Sequence, residues 1–498
     1  MSDGPANVAE FLLAGKPPDR TALLFVRNQY SYGELQRRVE QTARAILARG
    51  GRKGERVVLI GENSFFWVSV YLGILRAGLI CVPLPDNIAA SDLQYILRNT
   101  EARTIFAEGN LAALRELEPA QTRLVTESEI DLMPADCQSS CSFPAIYAND
   151  LAALMFTSGS TGQPRGVMVS HGNIIANTES IIEYLRLTEA DRILTVLPFY
   201  YCFGTSLLHT HLRAGGSLVV ESRFMYTEAM LNRMIDTECT GFAGVPSHFR
   251  VLLRNSNLRK KSFPRLRYVQ QAGGHLASSA IRELCAALPT TQVFVMYGQT
   301  EATARLSYLP PECLPAKTGS IGRGIPGVSL RVLNDAGQDV RPGEVGEIVA
   351  RGANVARGYW HAPEETAVTF RGGELRTGDL ATVDTEGFIY VVDRAKDFLK
   401  CGGERVSCRA LEEELMAFDE LLEAAVIAVA DDVLGEAPKA FIVPRFHDHD
   451  GLEERLTAFL KTRLPSHLIS RQFVVLPTLP KNSAGKVLKA RLRAPEMQ

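Results

Sequence analysis

The sequence lacks several features that would place it in common functional classes. No apolar run approaches the ~18 residues of a membrane-spanning helix, and the N-terminus has no basic segment followed by a long apolar core. The formal net charge is only −2, and charges of both signs are spread along the chain, so neither nucleic acid nor an anionic membrane is expected as a partner. The sequence therefore predicts a soluble, cytoplasmic protein that acts on a small molecule.

Closely spaced cysteines are also scarce. The chain has nine cysteines, and the closest pairs are Cys137 with Cys141 and Cys401 with Cys408. Neither pair has a second pair beside it to complete a zinc site. The others lie mostly singly in apolar surroundings, as reduced, buried thiols do. A structural metal is therefore not expected.

What the sequence does contain is alternation of strand and helix patterns. With 498 residues and 46% hydrophobic content, the chain is long enough for about three domains or subdomains. Strands alternating with helices predict an α/β fold of mostly parallel, doubly wound sheets. The predicted strands or hairpins are 19–30, 56–60, 81–84, 104–106, 191–197, 217–221, 241–245, 268–271 and 292–296, and the predicted helices include 32–49, 65–76, 91–99 and 173–185. The polar span 118–149 is predicted to be a surface connection.

Two changes of pattern predict the domain organisation. Residues 318–392 have glycine at every few positions and short alternating strands, predicted at 330–332, 347–349 and 388–391. This pattern predicts a β-rich subdomain within a large N-terminal domain, 1–392. Beyond Asp393 follow a helix, two strands, a helix and a last strand, predicted at 408–416, 424–429, 439–443, 452–464 and 472–476. They form a small C-terminal α+β domain, 393–498, and we place the hinge at Asp393 and Arg394.

The segment 157–166 has the composition of a phosphate-binding loop. Its glycines let the backbone turn sharply and bring N–H groups close to an anion, while its hydroxyls add donors and Arg165 adds a positive charge. A flexible Ser/Gly linker would need neither the cation nor the β-rich run at 151–156. Gly159 and Gly162 stand too close together for the P-loop of NTPases, and no Lys-Ser/Thr follows. A different nucleotide chemistry is indicated.

Three more segments carry groups suited to a nucleotide. Residues 297–301 follow a predicted strand and offer an aromatic face, a hydroxyl and a carboxylate, which a base, a phosphate and Mg2+ need. Asp379 follows a glycine and suits the ribose hydroxyls, and the loop 480–487 contains Lys486. Each segment alone is equally compatible with an ordinary turn or a solvated loop. The prediction of a nucleotide site therefore rests on the combination of these segments and on their order along the chain.

In this order, the segments resemble the adenylate-forming superfamily, which includes acyl-CoA synthetases, carrier-protein adenylation domains and firefly-type luciferases. The resemblance runs from about Asp19 to Lys489. It also rests on Asp393-Arg394, Lys396-Asp397, and Lys400 with Gly402-Gly403. It implies ATP and Mg2+ as cofactors, and a mobile small domain that rotates between two half-reactions.

The resemblance implies a role for each matching residue. Thr300 would contact the α-phosphate, Glu301 would bind Mg2+, Arg394 would contact the ribose, and Lys486 would bridge the substrate carboxylate and the α-phosphate. A lysine and a metal ion aimed at the developing charge are the expected tools for an attack of one anion on another. Implied to bind the nucleotide or the pantetheine arm are Thr157, Ser158, Gly159, Ser160, Thr161, Gly162, Arg165, Gly273, Gly274, Tyr297, Gly298, Gln299, Asp379, Lys400, Gly402 and Gly403.

The resemblance also places the acid pocket and exposes departures from the family pattern. The residues expected to line the pocket are Tyr201, Phe203, Gly204, Gly244 and His275. Amino-acid-activating relatives have an aspartate near 203–206, and its absence here favours an apolar or aryl acid. Arg165 and Tyr201 stand where most members have lysine and histidine, and Cys408 and Ala410 replace a usual proline and glutamate.

These inferences predict an AMP-forming acyl-activating ligase. It would convert a carboxylic acid, fatty or aryl, and ATP to acyl-AMP and pyrophosphate, and then to a thioester with coenzyme A. The closest alternative is an enzyme that loads the phosphopantetheine of an acyl or peptidyl carrier protein. An oxygen-using luciferase-like enzyme and a nucleotide-binding protein without turnover are further hypotheses, and Glu301 and Lys486 argue against the last. We expect a monomer or homodimer.

Overall fold

The computed structural model describes residues 6–108, 114, 123–127, 129, 142–158, 164–221, 224–394, 398–401, 404–431, 433–446, 450–470, 472–481 and 487–493. Their α-helices are α1 (Val8–Leu13), α2 (Tyr32–Ala48), α3 (Phe65–Arg76), α4 (Ala90–Thr100), α5 (His171–Leu185), α6 (Cys202–Ala214), α7 (Thr227–Asp236), α8 (Pro246–Asn255), α9 (Ser278–Ala287), α10 (Pro363–Thr369), α11 (Cys408–Met416), α12 (Leu452–Lys461) and α13 (Lys489–Leu492). Short 3-10 helices include Thr300–Ala302.

The strands of these residues are β1 (Thr21–Leu24), β2 (Gln29–Ser31), β3 (Arg56–Ile60), β4 (Ile80–Leu84), β5 (Thr104–Ala107), β6 (Arg123–Val125), β7 (Leu151–Ser158), β8 (Pro164–Ser170), β9 (Arg192–Thr195), β10 (Ser217–Val220), β11 (Gly241–Gly244), β12 (Tyr268–Gln271), β13 (Gln292–Tyr297), β14 (Ser307–Leu309), β15 (Arg323–Gly324), β16 (Val328–Leu333), β17 (Gly346–Gly352), β18 (Phe370–Arg371), β19 (Glu374–Val383), β20 (Ile389–Arg394), β21 (Phe398–Cys401), β22 (Glu404–Ser407), β23 (Leu421–Asp431), β24 (Gly435–Pro444) and β25 (Gln472–Val475).

Two large sheets organise the N-terminal part of the chain. Their strand orders are β15-β14-β13-β12-β11-β9-β10-β1-β2 and β6-β5-β3-β4-β7-β8. The inner pairs are parallel, and the antiparallel pairs lie toward the edges, as in β1 with β2 and β7 with β8. An apolar core that contains side chains of α3, α5 and α6 packs between the sheets. The predicted doubly wound α/β fold is confirmed.

Two smaller sheets complete the fold. One has the order β16-β17-β19-β18, with β20 also paired to β19, and contains the strands predicted at 330–332, 347–349 and 388–391, except that Phe388 precedes β20. The other has the order β22-β21-β24-β23, with β25 paired to β24, and packs against α11 and α12. This second sheet with its helices is the α+β unit expected near the C-terminus.

Local sequence signals account for several element boundaries. Ser31 immediately precedes the predicted helix 32–49, and its hydroxyl accepts a hydrogen bond from the backbone N–H of Glu34 at 3.2 Å. The Glu34 carboxylate in turn accepts the Ser31 N–H at 2.7 Å, which completes a capping box. The predictions 56–60, 65–76, 268–271 and 408–416 match the observed elements residue for residue.

One expectation about the fold is wrong. The span 118–149 was predicted to be a surface connection, but residues 123–125 form β6, which pairs in parallel with β5. The segment is short, and two of its three residues are exposed, so its sequence carries no burial pattern. Its strand conformation comes from the hydrogen bonds of the neighbouring edge strand, a tertiary effect that local propensity does not reveal.

Three buried histidines and the half-buried His248 make the stability of the protein depend on pH. Burial lowers the pKa of His171, His211 and His248 to about 4 and that of His209, which lies 2.9 Å from the Tyr71 hydroxyl, to about 3. They are neutral in the folded protein at pH 5, whereas unfolding would expose them to protonation near their ordinary pKa of ~6.5. The unfolded state then binds more protons, so the free energy of unfolding falls as pH falls.

We expect each histidine to contribute on the order of 1 kcal/mol per pH unit between about pH 6.5 and 4. Scanning calorimetry should therefore record a falling Tm between pH 7 and pH 5. A His209→Asn variant should have a shallower slope of Tm against pH than the wild type. A Tm that stays constant over this interval would show that the histidines are not buried in their neutral form.

Candidate active site

The predicted phosphate-binding segment belongs to a β-hairpin. Strand β7 runs antiparallel to β8, and the pairs nearest the turn are Thr157 with Arg165 and Ser158 with Pro164. Two strands therefore hold the ends of the segment close together. Four of its predicted phosphate contacts, Gly159, Ser160, Thr161 and Gly162, lie outside the described residues. Their role stays a prediction.

Arg165 is part of an ion pair. Its Nε lies 2.8 Å from an oxygen of Glu365 on α10, and its guanidinium carbon is 5.8 Å from the centroid of the Tyr359 ring. The positive charge at the end of the hairpin is thus balanced in part by a carboxylate of the β-rich subdomain. A phosphate group that approached Arg165 would compete with Glu365 for it.

Glu301 is connected to the same hairpin. The Tyr359 hydroxyl donates a hydrogen bond to Glu301 Oε1 at 2.8 Å, and the backbone N–H of Trp360 donates to the Gly166 carbonyl at 2.8 Å. Burial and the neighbouring Glu301 carboxylate raise the pKa of the Tyr359 phenol, so it stays protonated and keeps donating. The 357–360 segment therefore fixes the carboxylate of Glu301 relative to the β7–β8 hairpin.

The turn that carries Thr300 and Glu301 is tightly constrained. A Cβ at Gly298 would lie 1.9 Å from the Ala304 carbonyl oxygen, so only glycine fits there. Thr303 has a φ of 66°, a strained value for a β-branched residue. Its hydroxyl donates to the Asn354 carbonyl at 2.7 Å, and the Thr300 hydroxyl donates to Cys202 Sγ at 3.5 Å. Strain at such a turn is typical of a functional site.

Tyr297 and Asp379 come together across more than eighty residues of sequence. The Tyr297 hydroxyl donates to Asp379 Oδ2 at 2.6 Å. Asp379 is buried, and its backbone pairs with Arg394 on β20. The structure thus assembles the predicted adenine and ribose contacts on adjacent surfaces. The Arg394 side chain lies outside the described part of the structure, and Gln299 is half-buried beside Thr300.

The predicted acid-pocket residues lie at the carboxyl ends of the parallel strands, where open α/β sheets bind ligands. Tyr201 precedes α6, and Phe203 and Gly204 lie in its first turn. A Cβ at Gly204 would lie 2.1 Å from the Pro198 carbonyl oxygen, so the helix begins directly against the preceding turn. Gly244 ends β11 and is buried. The neighbouring Gly273 and Gly274, after β12, are exposed.

His275 contacts the small C-terminal unit. Its Nε2 pairs with Glu413, and Arg409 donates to its Nδ1; both partners lie on α11. These contacts point the imidazole toward α11, so its role as an acid contact stays a prediction. Asp393, the expected hinge, accepts hydrogen bonds from the Ser407 hydroxyl at 2.8 Å and the Arg409 N–H at 3.1 Å. The carboxylate of Asp393 therefore bonds to the start of α11 and to the residue before it.

The predicted pantetheine face is described only in part. Lys400 lies exposed on β21, and its backbone N–H donates to Glu436 at 2.5 Å. Gly402, Gly403 and Lys486 lie outside the described residues. The three remain predictions that rest on the resemblance.

The donor set around Glu301 suits Mg2+ supplied together with a nucleotide. In the described part of the chain, no group of three or more His, Cys, Asp or Glu side chains could hold a metal ion by itself. Mg2+ is commonly held by one or two carboxylates together with substrate phosphates and water. A single carboxylate beside a phosphate-binding hairpin fits that arrangement. The same described residues include no helix long and apolar enough to cross a membrane.

Comparison with known proteins decides the family. The sequence profile described as AMP-binding enzyme matches residues 13–360, and the profile of the AMP-binding enzyme C-terminal domain matches residues 410–486. The chain belongs to the AMP-binding enzyme family. It is an enzyme, an acid–thiol ligase of the AMP-forming acyl-CoA ligase group.

Relatives of this AMP-binding enzyme match it along nearly its whole length. A feruloyl-CoA synthase from an Amycolatopsis species is 32% identical, with 96% of each chain covered. A 2-succinylbenzoate–CoA ligase from a Geobacillus strain is 30% identical, with 96% of this chain and 94% of the relative covered. The solved structure of o-succinylbenzoate coenzyme A synthetase from Bacillus subtilis with ATP and a magnesium ion superimposes with a TM-score of 0.85, at 26% identity and with 99% and 100% of the chains covered.

Sequence reasoning missed three residues of this site. Tyr359 holds Glu301, Cys202 accepts from Thr300, and Arg305 lies against Phe203. The contacts of the first two join residues that are 58 and 98 positions apart, so no local motif contains them. The sequence offered a signal only for Tyr359. It belongs to the aromatic pair Tyr359-Trp360 that follows a glycine, and aromatic residues are unusual in an otherwise glycine-rich segment.

Proposed function

We propose that the enzyme activates an apolar or aryl carboxylic acid and transfers its acyl group to coenzyme A. Two contacts of the 297–301 segment carry the proposal: Glu301 accepts from Tyr359, whose neighbour Trp360 is bonded to the β7–β8 hairpin, and Tyr297 donates to Asp379. These groups suit the metal ion, the nucleoside and the phosphates of one ATP molecule. The coenzyme A ligases among the relatives, two of them named for aryl acids, support the choice of acceptor and acid.

In the first half-reaction, a carboxylate oxygen forms a bond to the α-phosphorus of ATP. The bond from that phosphorus to the bridging oxygen breaks, and pyrophosphate leaves. Mg2+, when bound, neutralises phosphate charge as it develops. Glu301 would hold the metal ion, the hairpin would hold the leaving group, and Lys486 would stabilise the charge between the two reacting anions.

In the second half-reaction, the thiol sulfur attacks the acyl carbon of acyl-AMP. The carbon–oxygen bond to AMP breaks, the thiol proton is lost to solvent or base, and the thioester forms. Rotation of the small domain would bring Lys400, Gly402 and Gly403 to the acyl-AMP. Glycines in that segment would leave room for a narrow pantetheine arm.

A two-way screen tests the proposal. Apolar and aryl acids are incubated with ATP and Mg2+, each with coenzyme A and with phosphopantetheinylated carrier proteins, and AMP and thioester are measured. We expect acid-dependent thioester with coenzyme A. Thioester only on a carrier protein would overturn the acceptor, and light or oxygen uptake with acyl-AMP would indicate luciferase-like chemistry instead.

A further inference from the structure

Arg305 is a buried cation with no carboxylate beside it. It is 1% exposed, and no acidic side chain of the described residues pairs with its guanidinium. Its contacts include the face of Phe203, 4.1 Å from the guanidinium carbon, Met296 Sδ, 3.3 Å from Nε, and Gln270 Oε1, 3.4 Å from Nη2. The neutral phenol of the buried Tyr184 also interacts with the guanidinium. An aromatic face, a thioether and a long amide contact compensate a buried positive charge only in part.

The strands beneath Arg305 carry further unsatisfied polar atoms. Thr195 on β9, Ala243 on β11 and Gln270 on β12 occupy one row across adjacent strands. Thr195 Oγ1 and Gln270 Nε2 are both buried and make no hydrogen bond in the described structure. The small side chain of Ala243 lies between them. Buried polar groups are nearly always paired, so two orphans in one row indicate a missing partner.

This polar group lies against the acid pocket. Gln270 faces the same side of the sheet as Tyr268, whose hydroxyl contacts His211 of α6 at 2.8 Å. Phe203, in the first turn of α6, is an expected pocket residue and is the ring on which Arg305 stacks. The chain reaches Ala272 two residues after Gln270 and the exposed Gly273 three residues after it. Arg305 therefore lies against a residue expected to line the acid pocket, and Gln270 lies on the strand that leads to Gly273.

We propose that the substrate acid carries a second carboxylate, which Arg305 and the Gln270 side-chain amide bind while the first carboxylate is adenylated. The inference rests on the proposed function and narrows its substrate class to dicarboxylic acids with an apolar or aryl skeleton. A carboxylate would neutralise the buried guanidinium and accept its N–H groups, as well as one N–H of Gln270 Nε2. A neutral hydroxyl or carbonyl would satisfy donors but leave the charge uncompensated.

A structural role for Arg305 is the competing explanation. Its stacking on Phe203 would then only hold the first turn of α6, and the second group on the acid would not matter. The two explanations differ in their effect on the ratio of kcat/KM between a dicarboxylate and the matching monocarboxylate. A binding role of Arg305 changes this ratio, whereas a structural role changes both kcat/KM values together. The test therefore compares acids that differ only in the second carboxylate.

The experiment measures kcat/KM for AMP release, with ATP and coenzyme A, for the pairs hexanoate and adipate, and 3-phenylpropanoate and 3-(4-carboxyphenyl)propanoate. We expect the wild type to favour one of the dicarboxylates over its partner by on the order of 10- to 100-fold, the range for hydrogen bonds to a charged group. Arg305→Met should abolish that preference, whereas Arg331→Met, at an exposed ion pair with Asp339, should leave it unchanged.

Thermal unfolding shows whether Arg305→Met is folded. If it is not, the preference for the dicarboxylate is measured in Gln270→Leu instead. It removes the orphan amide and keeps the cation, so we expect the preference to fall on the order of 10-fold. Equal wild-type kcat/KM values within both pairs, a preference for 6-hydroxyhexanoate over adipate, or a preference that survives Arg305→Met would overturn the inference. Absence of AMP release with every acid would overturn the ligase function itself, and this inference with it.

Discussion

Replacing Lys486 with alanine should lower the rate of acyl-AMP formation on the order of 10²- to 10³-fold, the cost of removing a preorganised charge from a transition state. The reason is electrostatic. An anionic carboxylate must approach an anionic phosphate, and Lys486 is the residue that the resemblance assigns to the space between them. The effect should appear in kcat for adenylation, measured as acid-dependent pyrophosphate release in a single turnover.

Thioester formation from preformed acyl-AMP should change less than about 5-fold in the same variant, because the small domain is expected to move Lys486 away before the thiol attacks. Lys481 gives a matched control. It lies on the same segment but pairs with Glu423, so Lys481→Ala should affect neither half-reaction strongly. Equal losses in both half-reactions of Lys486→Ala would refute the role assigned to this lysine.

Replacing Glu301 with glutamine should lower kcat for adenylation to a similar extent. The change keeps the size of the side chain, and its amide oxygen can still accept the hydrogen bond that Tyr359 donates to Oε1. What it removes is the negative charge that would hold Mg2+ with the nucleotide phosphates. We also expect the Mg2+ concentration for half-maximal rate to rise, in a titration at saturating ATP.

The Tyr359→Phe variant tests the hydrogen bond that Tyr359 donates to Glu301 separately from the negative charge of Glu301. It leaves the Glu301 carboxylate in place and removes one neutral donor, so the loss should stay near 10-fold or less. A Glu301→Gln variant with wild-type kcat and an unchanged Mg2+ requirement would exclude Glu301 as the metal-binding residue. A loss in Tyr359→Phe as large as that in Glu301→Gln would mean that position, and not charge, is what Glu301 contributes.

The sequence predicted those parts of the fold in which a local signal and the tertiary environment agree. Helix α3 is apolar on all sides and lies in the core between the sheets, so its composition and its burial give the same bounds. Helix α2 begins at a capping box that can be recognised in the sequence. Strand β6 has no such signal, because its conformation depends on pairing with β5.

The residues of the candidate site also fall into two groups: those that the sequence predicted and those whose contacts depend on the folded chain. Tyr297, Glu301 and Asp379 belong to short motifs that the resemblance identified, and the structure brings Tyr297 and Asp379 within 2.6 Å. The partners of these residues were not predictable, because Tyr359 reaches Glu301 only through the folded chain. Arg165 was expected as a positive charge at the phosphate loop. Its ion pair with Glu365 depends on a helix about 200 residues later, and no local pattern contains that information.

Acid-dependent exchange of labelled pyrophosphate into ATP is the most direct assay of whether the enzyme forms acyl-AMP from a carboxylic acid and ATP. Exchange requires reversible formation of acyl-AMP and pyrophosphate, needs no thiol acceptor, and so does not depend on the identity of the second substrate. We expect an exchange that requires both Mg2+ and a carboxylic acid. Its rate should fall on the order of 10²-fold or more in the Lys486→Ala variant. Absence of exchange across a broad panel of mono- and dicarboxylic acids would contradict this expectation.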